Sequence, residues 1–349
     1  MKVVYLTPDM SSYRAASYQS DVAVEFANQH DVYFYGPGYP DYSPSDSITD
    51  ILAKAPWRPD FVCAGHAWLS DAPTGPIKRM PGVDLSTLKL PKLCILNKEY
   101  ARLDDKLSVI ADQKFDVVLT HHHDVQRYER ATKTKTVFWP FAFDHRKFII
   151  RDVPREIDLF FSGLLRNPTH SETQNDLRIR VQAKLYYAIG ELRLLKKPKF
   201  ARYELMWNAF SGNRWITRLD RTLGRYAHIP DAEYQLSFNR SKICFCALSP
   251  LDLVSPRYFE AMASGCMVLC QRSERYEGLF EDRAHCMMFA DDLSDFDRML
   301  VNAIENDALR EQITARAALH ARTHHTWQRR VQQAVEALEG RTSSPAATI

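Results

Sequence analysis

Residues 255–270 read Ser-Pro-Arg-Tyr-Phe-Glu-Ala-Met-Ala-Ser-Gly-Cys-Met-Val-Leu-Cys, and the chemistry-bearing types among them fall at helical spacing. Ser255 is a good N-cap, Pro256 suits the first helical position, and Gly265 can end the helix in a left-handed conformation. The apolar run 266–270 that follows is short and bounded, as a buried strand is. Arg257 sits at the N-terminus of this helix and Glu260 one turn in. Together they offer a guanidinium and backbone N–H groups to an anion, and a carboxylate to paired hydroxyls. A diphosphate joined to a ribose would suit that pair. The bland alternative is an arginine and a glutamate on a solvated helix start.

Such a pair needs a sheet edge to present it, and the chain carries the pattern of two parallel sheets. Strands are expected at Val3–Thr7, Val32–Tyr35, Phe61–Gly65, Leu93–Leu96, Phe115–Thr120 and Thr136–Trp139, with helices at Ala15–Asn28, Ile48–Ala55 and Arg127–Ala131. Pro140, Asp144 and the charged stretch Arg151–Glu156 read as a linker. The alternation restarts with a strand at Asp158–Ser162 ending at Gly163, and Ser171–Gln174 forms a capping box. Further strands are expected at Ile243–Ala247, Met267–Cys270 and Cys286–Phe289, with helices at Leu293–Asn306, Leu309–Thr323 and Trp327–Leu338. Strands separated by helices argue for βαβ units and a doubly wound sheet in each half. The tail Gly340–Ile349 is small and polar, and is expected to be disordered.

The segment Phe259–Gly265 with its following strand resembles the donor site of GT-B glycosyltransferases of the glycosyltransferase-4 (group 1) type, and is most similar to the CgeB-like branch. Trp-Pro-Phe-Ala-Phe-Asp (139–144) followed by Phe-Phe-Ser-Gly (160–163) resembles that family's domain junction, and Asp292–Thr323 with His325-Thr-Trp resembles its C-terminal helices. The likeness is good from about residue 115 onward and architectural before it. It implies an α/β GT-B fold: two Rossmann-like doubly wound domains facing an interdomain cleft. The expected divisions are an acceptor domain at 1–150, a nucleotide-sugar domain at 151–325, a returning C-terminal helix at 326–340 and a tail at 341–349. It also implies transfer of a sugar from a UDP- or GDP-type donor to a glycan, lipid-linked or small-molecule acceptor, with retention and without metal or other cofactor. The family's paired acidic residues, separated by seven others, correspond to Asp252 and Glu260. Glu260 would hold the ribose and Asp252 would approach the sugar, though Asp stands where Glu is usual.

Donor contacts are expected from Gly163, Arg166, Ser255, Arg257 and Glu260. A glycine at a strand end lets backbone approach a ligand, and a fixed arginine at the carboxyl edge stabilises a leaving diphosphate. The family's second basic residue, five positions after Arg166, is replaced by Ser171. Alongside Asp252, the catalytic candidates are His66, Glu99 and His121, which follow strands of the first half and would face the cleft. The relatives' histidine from the strand equivalent to 93–96 is absent, since Asn97, Lys98 and Glu99 stand there. Three adjacent residues, His121–His123, cannot all turn to one ion, so no metal site is assigned.

Length, composition and charge exclude several other classes. A chain of 349 residues with 45% hydrophobic and 26% charged residues suits two soluble domains. No run reaches the ~18 apolar residues of a membrane span, and the N-terminus reads as a strand rather than a signal peptide. Seven cysteines, mostly within apolar runs, fit a reducing, cytoplasmic setting. A net charge of +3 is too small to argue for nucleic-acid binding. The basic, aromatic stretch 193–225 (with Trp207, Phe210 and Trp215) reads as an amphipathic helical face that could touch a membrane surface. The first loop lacks the glycines of a dinucleotide fingerprint, and neither a phosphate-binding loop nor Gly-x-Ser-x-Gly is present. The rival readings are a non-catalytic nucleotide- or carbohydrate-binding protein of the same fold and a nucleic-acid binder using 193–225.

Overall fold

The computed structural model describes residues 1–340 apart from 13–16, 73, 166–171, 186, 190–191, 197–201, 211–221 and 223–228. It divides into two compact units, one formed by Met1–Phe141 with the chain from Trp327 onward, the other by Ala142–Thr326. Residues 142–156, expected to be a linker, count with the second unit. There Asp144 is buried and bonded to Arg146, and Arg155 donates to the carbonyls of Phe238, Ser241 and Ser264.

The first unit is built on a six-stranded, wholly parallel sheet. Its strands are β1 (Lys2–Leu6), β2 (Asp31–Tyr35), β3 (Phe61–Ala64), β4 (Lys92–Ile95), β5 (Val117–Thr120) and β6 (Lys135–Phe138), in the order β2-β1-β3-β4-β5-β6. Strands β3, β4 and β5 are buried along their whole length. That is why they read as continuous apolar runs rather than alternating ones. Helices α1 (Tyr18–Gln29), α2 (Ile48–Lys54), α3 (Leu103–Gln113) and α4 (Val125–Thr132) make the connections. Helix α3 was not foreseen. It buries Leu103, Leu107 and Ile110, and is entered and left through Arg102 and Lys114, both left-handed without being glycine.

The second unit has a five-stranded parallel sheet of β7 (Ile157–Leu164), β10 (Leu205–Phe210), β11 (Ser241–Cys246), β12 (Met267–Gln271) and β13 (Met287–Phe289), in the order β10-β7-β11-β12-β13. β8 (Tyr187–Ile189) and β9 (Leu192–Lys196) form a separate antiparallel pair. The helices are α5 (Glu172–Leu185), α6 (Asp231–Arg240), α7 (Pro256–Ala263), α8 (Phe296–Glu305) and α9 (Asp307–His324). Strand β10 corrects the expectation of a helical face within 193–225. Trp207 lies on this edge strand, packs on Phe161 with ring centroids 4.6 Å apart, and donates its indole N–H to Gln182. It belongs to the core rather than to a solvated surface. Trp215 and most of the arginines of that stretch lie outside the described residues, as do the Ser171 cap and the tail 341–349. All seven cysteines are buried and free. Among the described residues no helix is long and apolar enough to cross a membrane.

In both sheets the chain goes first to one side of its opening strand and then to the other. β2 and β3 flank β1, and β10 and β11 flank β7. Each sheet therefore has a switch point, between β1 and β3 and between β7 and β11. Loops diverge there at the carboxyl ends and leave a crevice.

The last helix, α10 (Trp327–Leu338), belongs to the first unit. Trp327 is buried in ring contact with Trp139, whose indole N–H donates to the Arg330 carbonyl over 2.7 Å. Arg330 Nε in turn donates to the Pro140 carbonyl over 2.8 Å. Trp327→Ala removes a large buried ring and is expected to destabilise this unit by about 3–5 kcal/mol. Urea unfolding monitored by circular dichroism measures it, and a loss under about 1 kcal/mol would mean that the helix contributes little packing.

Candidate functional site

The second unit's crevice collects the donor-site residues. Helix α7 starts at Pro256 behind Ser255, whose side chain makes no capping bond, and ends before Gly265 at φ +68°. A Cβ at Gly265 would lie 2.8 Å from Arg155, so both backbone conformation and space require glycine. Arg257 projects from the first turn across the face of Phe161, 5.7 Å from the ring centroid. A Cβ on Gly163 would sit 3.5 Å from Arg257 Nη1, so the glycine places bare backbone beside the guanidinium. Gly163 lies within β7, which runs one residue further than expected, to Leu164.

Two residues not foreseen complete the arrangement. Tyr234, on α6, donates its hydroxyl to Glu260 Oε2 over 3.0 Å and lies 3.4 Å from Arg257 Nε, joining the expected phosphate and ribose ligands. Arg178, on α5, is buried and donates to the carbonyls of Leu164 and Leu248, over 2.9 and 3.0 Å, at the end of β7 and two residues beyond β11. Its Nε has no partner among the described residues. Burial first, and then the like charge of Arg257, push its guanidinium down to about 10, still protonated at neutral pH. Neither arginine has a carboxylate partner among the described residues. One signal for Arg178 was available in sequence, since it interrupts the apolar stripe Leu177, Val181, Leu185.

Asp252 stands at the rim of the same crevice. Leu251 and Asp252 are both left-handed, at φ +58°, and Asp252 lies 3.8 Å from Arg275 with its carboxylate partly exposed. Arg166 lies outside the described residues.

The first unit's carboxyl edge holds a different chemistry. His66, after β3, and His121, after β5, are both buried, with Nε2 atoms 3.1 Å apart. His121 Nδ1 is 2.8 Å from the Trp139 carbonyl. Tyr18 lies edge-on to His66, with ring centroids 5.4 Å apart, and donates to Asn97 Oδ1 over 2.6 Å. His122 and His123 stack on one another away from this pair, His123 being exposed.

The expectation that Glu99 faces an open cleft is corrected. Its carboxylate is fully buried and accepts from Thr120 Oγ1 and the His121 N–H, each over 2.7 Å, and from the Tyr128 hydroxyl. Both oxygens are taken, so Glu99 positions the His121 backbone and does not meet a substrate. Burial raises its pKa above the ordinary 4.5 despite the lowering effect of the Tyr128, Thr120 and His121 bonds.

The comparisons with known proteins agree with this architecture. Residues 198–336, under half of the chain, match a protein family described as "Glycosyl transferase-like". No curated protein matches the sequence significantly. Sucrose-phosphate synthase from Thermosynechococcus elongatus is similar at a TM-score of 0.59 and 10% identity, over 97% of this chain and 98% of that one. Anabaena Alr3699/HepE in complex with UDP is similar at 0.58 and 13%, over 97% and 100%. An alpha-glucosyltransferase in complex with UDP and a 13-mer DNA gives 0.58 and 11%, over 97% and 99%. At such identities the likeness establishes the fold, which is GT-B with two Rossmann-like α/β domains, as the sequence implied. The family match over the second unit, together with that fold, supports a glycosyltransferase enzyme.

Glu99→Gln puts an amide N–H₂ among three donors and is expected to cost about 1–3 kcal/mol of stability. The wild-type carboxyl binds its proton more tightly folded than unfolded. Its contribution is therefore full below the ordinary 4.5 and falls as pH rises through the elevated folded value. Urea titrations across about pH 4–8 should show that extra downward slope in the wild type and not in Glu99→Gln. Superimposable slopes would assign the carboxyl no differential protonation.

Proposed function

We propose that this protein transfers a sugar from a nucleoside-diphosphate donor to a hydroxyl-bearing acceptor, with retention and without a metal. The observation that carries the reading is the pair of guanidiniums, Arg178 and Arg257, lacking a carboxylate among the described residues, at the switch point between β7 and β11. Such a site favours a multiply charged anion. Glu260, one helical turn from Arg257, offers its carboxylate to the ribose hydroxyls. Similar structures determined with UDP support a uridine donor.

As the bond between sugar and phosphate breaks, negative charge grows on the departing diphosphate. Cations already fixed in place stabilise that charge without reorganising. Arg257 meets it directly, Arg178 adds its field from behind the strand ends, and the bare backbone of Gly163 allows close approach. These fixed charges supply the neutralisation that a divalent ion provides elsewhere, which supports the metal-independent reading. Asp252 reaches the sugar from the strained turn after β11, and the acceptor is presented by the first unit. The resemblance of Phe259–Gly265 to the CgeB-like branch supports an affiliation with it.

A thermal-shift series with UDP, GDP and their sugars tests the donor, because a ligand bound to the folded state alone raises the melting temperature. Glu260→Gln is expected to weaken nucleotide binding by about 1.5–3 kcal/mol while folding normally. Arg257→Ala should reduce diphosphate affinity far more than nucleoside affinity. An unchanged ratio of the two would remove Arg257 from the phosphate site. Turnover that is lost in chelator and restored by a divalent ion would overturn the metal-free mechanism.

A further inference from the structure

The histidine pair of the first unit has only one self-consistent proton arrangement. The Trp139 carbonyl can only accept, so His121 Nδ1, 2.8 Å away, carries the proton of its ring. Burial, reinforced by the charge of Arg330 and only partly offset by the Trp139 bond, holds His121 down to about 3, so its ring is neutral and Nε2 has a lone pair. His66 Nε2, 3.1 Å from that lone pair, must therefore donate. Burial and then His121 also keep His66 neutral, well below its ordinary range. The remaining lone pair sits on His66 Nδ1, a buried atom with no partner among the described residues.

That atom belongs to the residue next but one beyond β3, at the switch point between β1 and β3, the place where open α/β sheets bind ligands. Tyr18 flanks the ring edge-on and is itself fixed through Asn97. The other flanking rings are Trp139 and Trp327, 5.7 and 6.3 Å from His66 between centroids. A neutral acceptor among aromatic walls suits an uncharged hydroxyl. A cation is disfavoured there by burial and by the nearby Arg330.

We infer that His66 Nδ1 receives a hydrogen bond from a hydroxyl of the sugar acceptor, and that His121, held by the Trp139 carbonyl, is the positioning residue that sets the tautomer. The inference rests on the glycosyl-transfer reading for the identity of the ligand. The proton arrangement itself stands without it.

The test uses the full-length protein labelled with ¹⁵N-histidine, with methyl α- and β-glucopyranoside as hydroxyl probes. His66 is expected as the neutral Nε2–H tautomer across about pH 5–8. Its Nδ1 resonance should shift saturably with at least one probe, while the His121 Nδ1–H signal persists. His66→Phe keeps the ring packing, has no acceptor, and should weaken calorimetric binding of that probe by about tenfold or more. His66→Asn, which restores an acceptor near the Nδ1 position, should recover part of it and serves if the Phe variant fails to fold. A proton on His66 Nδ1 overturns the inference. So does an Nδ1 resonance that neither probe moves, which would assign the atom to a buried water. UDP thermal shifts on the same samples read the donor site separately. Their absence beside an intact His66 response would sink the donor reading alone.

Discussion

Arg178 is the interaction on which the donor half of the molecule depends. Its guanidinium holds the carbonyls of Leu164, the last residue of β7, and Leu248, two residues beyond β11. A single planar fork thus ties the end of β7 to the chain leaving β11. A lysine would offer one nitrogen in place of the fork's two. Burying such a group without a carboxylate is costly, and placing Arg257 nearby adds like-charge repulsion. The arrangement is therefore strained toward accepting an anion. An anion bound there would relieve repulsion that the fold otherwise tolerates, which is a source of affinity beyond the hydrogen bonds themselves.

The first unit solves the opposite problem. Its carboxyl edge is built from neutral or fully satisfied groups: two uncharged imidazoles, Asn97 bonded to Tyr18, and Glu99 enclosed by three donors. Glu99 fixes the His121 backbone N–H and the Trp139 carbonyl fixes the His121 ring, so the orientation of His66 is determined from two sides. One unit thus concentrates positive charge at its strand ends, and the other keeps its strand ends neutral or internally satisfied.

Much of this was legible in the residues, and the exceptions have physical causes. Parallel strands buried on both faces are short apolar runs, so β3, β4, β5, β11 and β12 declare themselves within a residue or two. The helix at Pro256, its Gly265 terminator and the Arg257–Glu260 spacing are local chemistry and were equally plain. Helix α3 was hidden because it is entered from a left-handed Arg102 without a side-chain cap, and α6 because Pro230 precedes it, also without one. Strand β10 was hidden by the basic residues around it, which suggested a solvated helix although Trp207 is in the core. Glu99 looked catalytic because a carboxylate just past a strand usually points outward. Only the tertiary positions of Thr120 and Tyr128 reveal that it is enclosed. Tyr234 could not be assigned locally, since Glu260 lies 26 residues away, and although Arg178 stands beside an apolar stripe, its partners are 14 and 70 residues distant.

The turn that carries Asp252 shows how the scaffold sustains a conformation the local chain would avoid. Two consecutive left-handed residues, neither of them glycine, cost on the order of 1–3 kcal/mol each and persist only where their surroundings over-determine them. Here the Ser249 N–H bonds to the Leu253 carbonyl over 2.9 Å, closing the turn at its base, and Leu253 and Val254 are buried beneath it. Arg178 holds the Leu248 carbonyl immediately before the turn, and α7 begins at Pro256 immediately after it. The strained pair is thus suspended between the Arg178 anchor and the helix that carries Arg257 and Glu260.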